Sequence, residues 1–266
     1  MTSISVSMIF SMLAYICVLF AFHEFARRYL KSVTVLFFLM LFSIPFWGDH
    51  LEGWFRWAKS LSVIIPVSFL NITRLAHRHP IDSLKAFTKK WPMWTLYVVI
   101  LVNIMQATIK DFTLGNTLNG TVGLIVALTM PITPDQWKIE KETKFNDFIF
   151  NFTTFWCFLY TIWNIAFVYG EKPAYVAHVT CILLVPLAYA VVFKRPDLWY
   201  SARAYTLGLS LFFRSAYDFI TPAMDSSAWH DSDVLHGWGL LNLCIAVPYL
   251  LIFVYSKIKH KIPKTD

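Results

Sequence analysis

The sequence predicts an all-helical membrane protein, and its composition is the first of two observations behind this prediction. Hydrophobic residues make up 57% of the 266 residues and charged residues only 15%, with a mean hydropathy of +0.55. Soluble domains carry about 25% charged residues, which solvate their surfaces. A chain this apolar needs lipid as its solvent, so a soluble globular fold is excluded.

The second observation is the distribution of positive charge. Seventeen of the 23 lysines and arginines lie in five short clusters, separated by long apolar stretches. The clusters occupy residues 27–31, 74–90, 138–144, 194–195 and 257–264. Cytoplasmic loops of membrane proteins carry an excess of Lys and Arg. Placing every cluster on the cytoplasmic side predicts an external N-terminus and a cytoplasmic C-terminus.

The apolar stretches between the clusters predict about nine transmembrane helices in one bundle covering residues 1–266, without a soluble domain. A transmembrane helix needs about 20 mostly apolar residues. The predicted spans are 4–22, 32–48, 55–74, 91–110, 119–137, 147–169, 174–193, 198–220 and 234–256. Spans 32–48 and 119–137 contain prolines (Pro45, Pro131 and Pro134), and either could instead be re-entrant or broken.

The net charge of +7 raises the question of a nucleic-acid partner. The positive residues lie at the ends of apolar segments, and no basic domain is present to form a nucleic-acid groove. Clusters of this kind contact anionic lipid headgroups at the cytoplasmic face. Membrane lipids are therefore the predicted partners, and nucleic acid is not.

Three predicted spans each carry a polar stripe, that is, a set of polar residues at helical spacing. The three stripes are Asn103, Gln106 and Lys110, with the adjacent Asp111; Tyr160 and Asn164; and Arg203, Ser210, Arg214 and Asp218. Ionisable residues within spans usually face the bundle interior or a water-filled cavity. As a structural alternative, the amides bond neighbouring helices, and Arg214 neutralises Asp218 one helical turn away.

A polar central cavity is the functional interpretation of these stripes. Such a cavity predicts a carrier or permease for a small polar or charged solute, with or without coupling to protons or ions. Lys110 and Arg214 would hold anionic groups, and Asp111 or Asp218 would take coupling protons. The predicted cavity residues are Asn103, Gln106, Lys110, Asp111, Asn164, Arg214 and Asp218.

Two other classes of function stay open. Histidines near the predicted external side, namely His50, His178, His230 and His236, are zinc-ligand types and would suit a membrane enzyme acting at the outer rim. No HExxH, phosphate-loop or GxSxG motif is present, so no metal, cofactor or catalytic residue is predicted. The third class is a non-catalytic membrane partner or assembly protein whose polar stripes only pack helices.

Three segments resemble a family of uncharacterised bacterial inner-membrane proteins, known as a domain of unknown function. They are Asn103-Ile-Met-Gln-Ala-Thr-Ile-Lys-Asp-Phe112, Asn119-Gly-Thr-Val-Gly123 and Ser201-Ala-Arg-Ala-Tyr205. The resemblance implies a multi-pass helical protein of the bacterial inner membrane. It implies no activity, and no functional residue can be carried over from it.

The charge pattern generates a topology prediction. Epitope tags before residue 4 and after residue 266 should be accessible from opposite sides of the membrane, because an odd number of crossings separates them. Protease protection in intact and permeabilised spheroplasts measures this. Tags on the same side would contradict nine crossings.

Overall fold

A computed structural model describes residues 5–48, 51, 53–130, 137–140, 145–217 and 220–261. Two predicted site residues, His50 and Asp218, lie outside the described residues. The same holds for Pro131 and Pro134.

The described residues form ten α-helices and one short antiparallel ribbon. The helices are α1 (Val6–Arg28), α2 (Leu30–Phe42), α3 (Trp54–Arg78), α4 (Trp91–Thr113), α5 (Thr117–Leu128), α6 (Thr154–Glu171), α7 (Val176–Val191), α8 (Trp199–Ala216), α9 (Ile220–Ala223) and α10 (Ser232–Lys261). Strands β1 (Lys138–Ile139) and β2 (Phe148–Ile149) form the ribbon, with Lys138 opposite Ile149. The all-α prediction is confirmed.

Among the described residues, five helical segments are long and apolar enough to cross a membrane. They are Val6–Arg28, Trp57–Arg78, Trp91–Thr113, Pro173–Val191 and Ser232–Lys259. Helices α2 and α5 have 13 and 12 residues. At 1.5 Å per residue they reach about 20 Å and about 18 Å, short of the roughly 30 Å hydrocarbon core. The architecture is that of a helical membrane bundle.

Helix directions follow from the pairs of residues in contact. The rings of Tyr15 and His23 in α1 lie 5.3 and 4.7 Å from those of His178 and Tyr189 in α7, so α1 and α7 run in the same direction. Near the other terminus, Tyr249 of α10 stacks on the N-terminal turn of α6, and Asn242 donates a hydrogen bond to the Ile162 carbonyl at 3.3 Å. Helix α10 is therefore antiparallel to α6.

Four of the five basic clusters meet at one end of the bundle, which we call the basic end. Arg27 binds both carboxylate oxygens of Asp147, at 3.0 and 2.7 Å. Arg195 binds Asp197 and approaches Glu140 at 3.9 Å, and the Phe150 amide donates to the Asp197 carbonyl. Helices α1 and α10 both end on this side.

Arg74 joins the elements of the basic end through all five of its N–H groups. It donates to the carbonyls of Ala26 and Arg27 at the C-terminus of α1 and to those of Phe145 and Asn146, at 2.9–3.1 Å. The fifth bond goes to the Tyr205 hydroxyl at 2.8 Å. A cation is favourable beside the unpaired carbonyls of a helix C-terminus. Arg74 is only 1% exposed, so it is a structural side chain.

The predicted boundaries are wrong for the spans at 119–137 and 147–169. Helix α5 ends at Leu128, and α6 begins only at Thr154, where the Thr153 hydroxyl accepts a hydrogen bond from the Trp156 amide. Described apolar residues between these helices, from Trp137 to Phe152, belong to the ribbon and to an aromatic cluster at the basic end. That cluster contains Trp137, Phe148, Phe150, Phe152 and Tyr200. Hydropathy alone does not separate such a cluster from a helix.

Gly123 allows α5 to pack closely between α4 and α6. A Cβ atom at this position would lie 2.3 Å from Thr108 Oγ1 and 2.9 Å from Trp163 Nε1. Both neighbours are buried, so neither can move freely. Close approach of helix backbones at small residues is a common device for packing membrane helices.

This contact predicts that Gly123→Ala lowers stability by about 1–3 kcal/mol, because an added methyl group overpacks the α4–α5–α6 contact. Gly237→Ala is the matched control, since a Cβ there meets no atom within 4 Å. Thermal unfolding in detergent compares the two variants. Equal melting temperatures would show that α5 does not pack as closely as described.

Candidate functional site

A cavity of about 150 Å³ lies among α3, α4, α6, α7 and α8. A single water needs about 10–15 Å³ of such space, so the cavity has room for a small solute.

Five of the seven predicted cavity residues line this one space. They are Asn103, Gln106, Lys110, Asn164 and Arg214. In α4 the contributing residues are spaced i, i+3 and i+7, so they share the helix face that α6 and α8 also face. The structure thus brings together the three polar stripes that the sequence showed separately.

The cavity also contains residues that the sequence prediction left out of the site. Tyr160, Arg203 and Ser210 belong to the polar stripes but are not among the seven predicted cavity residues, and all three line the cavity. Lys59 lies near the start of the predicted span 55–74 and is not among the predicted cavity residues. Its spacing to Ser62 and Pro66, at i+3 and i+7, matches the α4 pattern and is the signal that could have placed it at the cavity.

The lining is strongly cationic. Lys59, Lys110, Arg203 and Arg214 all face the cavity, and no carboxylate belongs to the lining within the described residues. Lys59 lies within electrostatic range of both arginines, with Glu171 as the nearest opposing charge. The cavity therefore attracts anions and repels cations.

Both cavity arginines keep buried N–H groups that lack a hydrogen-bond acceptor among the described residues. These groups are Nε and Nη1 of Arg203 and Nε of Arg214. The Arg214 guanidinium lies 4.0 Å from the centre of the Tyr175 ring, a cation–π contact that fixes its position without using its donors. Arg74, in contrast, uses every donor that it has.

Asp111 does not line the cavity, contrary to the prediction. It follows Lys110 by one residue and therefore faces a different side of α4, towards α5. Its two carboxylate oxygens accept hydrogen bonds from Asn116 at 3.0 Å and from Asn119 at 2.8 Å. Asn119 in turn accepts from Asn242 of α10 at 3.2 Å, so this carboxylate holds the α4–α5 turn against α10.

The predicted pairing of Arg214 with Asp218 assumed a continuous helix. Helix α8 ends at Ala216, and the backbone of Tyr217 is extended, with φ of −165° and ψ of 103°. The helical spacing on which that pairing was predicted therefore stops before position 218.

The described histidines do not converge on a metal site. His178 is buried between α1 and α8, with its Nε2 atom 2.7 Å from the Ser210 hydroxyl and 3.2 Å from the Tyr15 hydroxyl. His230 instead contacts the Tyr169 carbonyl at 3.3 Å, and His236 is exposed. The part of the chain that the structure describes holds no group of three or more His, Cys, Asp or Glu residues able to bind a metal.

The cavity is closed at the basic end and open on the side of α3 and α4. Tyr200 forms its floor, packed into the aromatic cluster and bonded to the Leu96 carbonyl at 3.1 Å. Beyond the floor lie the Arg27–Asp147 ion pair and the Tyr189–Glu24 hydrogen bond. Lys59 and Gln106 are the exposed polar lining residues, which places the opening between their helices.

Comparison with known proteins gives one match. The model of a family described as "Family of unknown function (DUF5692)" matches residues 114–265, just over half of the chain. No curated protein and no solved structure gives a significant match.

The difference between Arg74 and Arg203 generates a prediction about stability. Arg74→Gln leaves buried carbonyls without donors and should cost about 3 kcal/mol or more. Arg203→Gln removes a buried cation without a described partner, close to other cations, so stability should stay unchanged or rise. Thermal unfolding of the two variants in detergent tests this, and equal losses would contradict it.

Proposed function

Since the chain belongs to DUF5692, a family of unknown function, we propose from the cavity that it is a multi-pass membrane carrier for a small charged solute. One observation carries the proposal: polar residues from α4, α6 and α8 and cations from α3, α4 and α8 converge on a single cavity inside an apolar bundle. Transporter substrate sites lie near the bilayer midplane and are built from the polar faces of several helices.

The proposed topology has nine crossings, with the N-terminus outside and the C-terminus in the cytoplasm of a bacterial cell. The convergence of basic clusters at one end supports the cytoplasmic assignment of that end. Helices α2 and α5 are too short to cross alone. In the proposed topology, the 3₁₀ helix Ile44–Trp47 extends α2.

The closed floor and the open α3–α4 side correspond to one state of an alternating-access carrier. Release on the other side requires the basic end to open. The contacts that would have to separate include the Arg27–Asp147 ion pair and the packing of Tyr200 against Trp137 and Phe150.

The unpaired arginine N–H groups favour a carrier over a non-catalytic partner protein. Polar stripes that only pack helices would bond neighbouring helices, as Asn119 and Asn242 do. Arg203 and Arg214 instead keep donors free at the cavity. The zinc-enzyme alternative has no such support, because His178, His230 and His236 lie apart.

Uptake into proteoliposomes tests the proposal. Labelled sulfate, phosphate, succinate, alanine and glucose cover the main classes of small solute, and at least one should accumulate above protein-free liposomes. Gln106→Trp should abolish that uptake, because an indole at this position fills the cavity. Val102→Trp is the matched control: it lies on the same helix, is 47% exposed and does not line the cavity.

Two outcomes would contradict the proposal. One is the absence of uptake for all five solutes. The other is wild-type uptake by a Gln106→Trp variant that is as stable as Val102→Trp, since the cavity would then not be the transport path.

A further inference from the structure

We propose that the cavity binds a small dianionic oxyanion, such as sulfate, hydrogen phosphate or a short dicarboxylate, with the free donors of Arg203 as its principal contact and Lys59, Lys110 and Arg214 as the surrounding cations. The inference rests on the proposed function and adds the chemical class of its solute. It is carried by the number of cations, their unpaired donors and the size of the cavity.

The number of cations sets the charge of the ligand. Four cationic side chains line the cavity, and among the described residues Glu171 is the carboxylate that acts on Lys59, alongside the further cation Lys172. Like charges held together in a region of low dielectric repel one another strongly. A monovalent anion would neutralise only one of them, whereas a dianion removes most of the remaining repulsion. The charge balance therefore favours two negative charges.

The unpaired donors set the geometry. Arg203 offers Nε and Nη1, and Arg214 offers Nε, all of them buried and without described acceptors. The Nε and Nη1 donors of Arg203 point to different sides of the guanidinium group, so each calls for an acceptor of its own. Charged oxygens of a carboxylate, phosphate or sulfate are strong acceptors for such N–H groups. An oxyanion offers several of these oxygens and therefore suits the free donors.

The remaining lining limits the size and polarity of the ligand. Asn103, Asn164, Tyr160 and Ser210 add amide and hydroxyl groups for further oxygens. About 150 Å³ of space admits an inorganic oxyanion or a short dicarboxylate.

Lipid headgroups are the other source of an oxyanion, because they carry phosphate groups and lipid can approach the cavity opening between α3 and α4. A phosphodiester headgroup carries one phosphate charge, however, and the cavity is lined by four cations. The charge balance thus favours the free dianion over the lipid.

The experiment measures ligand-induced stabilisation of the full-length protein in uncharged detergent at pH 7.5 and constant ionic strength. A ligand that binds only the folded protein raises its melting temperature in a saturable, concentration-dependent way. Sulfate, phosphate and succinate are the dianionic probes, and chloride and acetate are the monovalent controls. Phosphatidylglycerol added to the micelles is the lipid probe.

Saturable stabilisation by at least one dianion, without an effect of acetate or chloride, is the expected result. Arg203→Gln should weaken that binding about tenfold or more, because a charge-assisted hydrogen bond contributes about 1.5–3 kcal/mol. Arg28→Gln is the control, since Arg28 is 56% exposed at the basic end, away from the cavity. This variant should bind as the wild type does.

Three results would overturn the inference: no saturable effect of any dianion, unchanged dianion affinity in a folded Arg203→Gln protein, or stabilisation by phosphatidylglycerol alone. These failures are separable from failure of the carrier proposal. Dianion binding without uptake into proteoliposomes would overturn only the carrier. Cavity-dependent uptake of alanine or glucose without dianion binding would overturn only the ligand class.

Discussion

The hydrogen bonds of Arg74 are the interaction on which the rest of the bundle depends. This one buried guanidinium joins the C-terminus of α1, residues 145 and 146, and Tyr205 of α8, and so fixes three parts of the chain that are distant in sequence. A lysine could not replace it, because a single ammonium cannot reach four carbonyls and a hydroxyl in different directions. In a bundle surrounded by lipid, buried polar groups cannot form hydrogen bonds with water. An arrangement of helices is therefore stable only where these groups form hydrogen bonds within the protein.

The same need of buried polar groups for hydrogen bonds makes Arg203 and Arg214 informative about ligand binding. A buried donor without an acceptor costs about 1–3 kcal/mol, and the cost of an unpaired buried charge is larger. Arg74 shows that this fold can satisfy a buried arginine completely. Arginines that keep buried donors without described acceptors beside a cavity, in contrast, are the arrangement expected of a site whose acceptor arrives with a ligand. Comparing the two kinds of arginine is thus a physical argument for binding, independent of any likeness to other proteins.

The positions of the long helices follow from hydropathy, because a run of about 20 apolar residues has few other stable solutions. The region between α5 and α6 does not follow from it, since Phe148 and Phe150 are as apolar as helix residues but pack in an end cluster. For the cavity, helical spacing predicts that Asn103 and Lys110 share a face. Spacing within one helix does not reveal which neighbour that face meets, so Lys59 was missed.

Helix α8 connects the cavity to the closed end. Going along it, Tyr200 packs into the aromatic cluster, Arg203 faces the cavity, and Tyr205 is bonded by Arg74. The proposed ligand contact therefore lies between the two contacts that fix α8 at the basic end. A ligand that neutralises Arg203 changes the forces on this segment of α8. Under the carrier proposal, binding and opening are coupled through one helix, and the aromatic packing of Tyr200 is the contact that must respond.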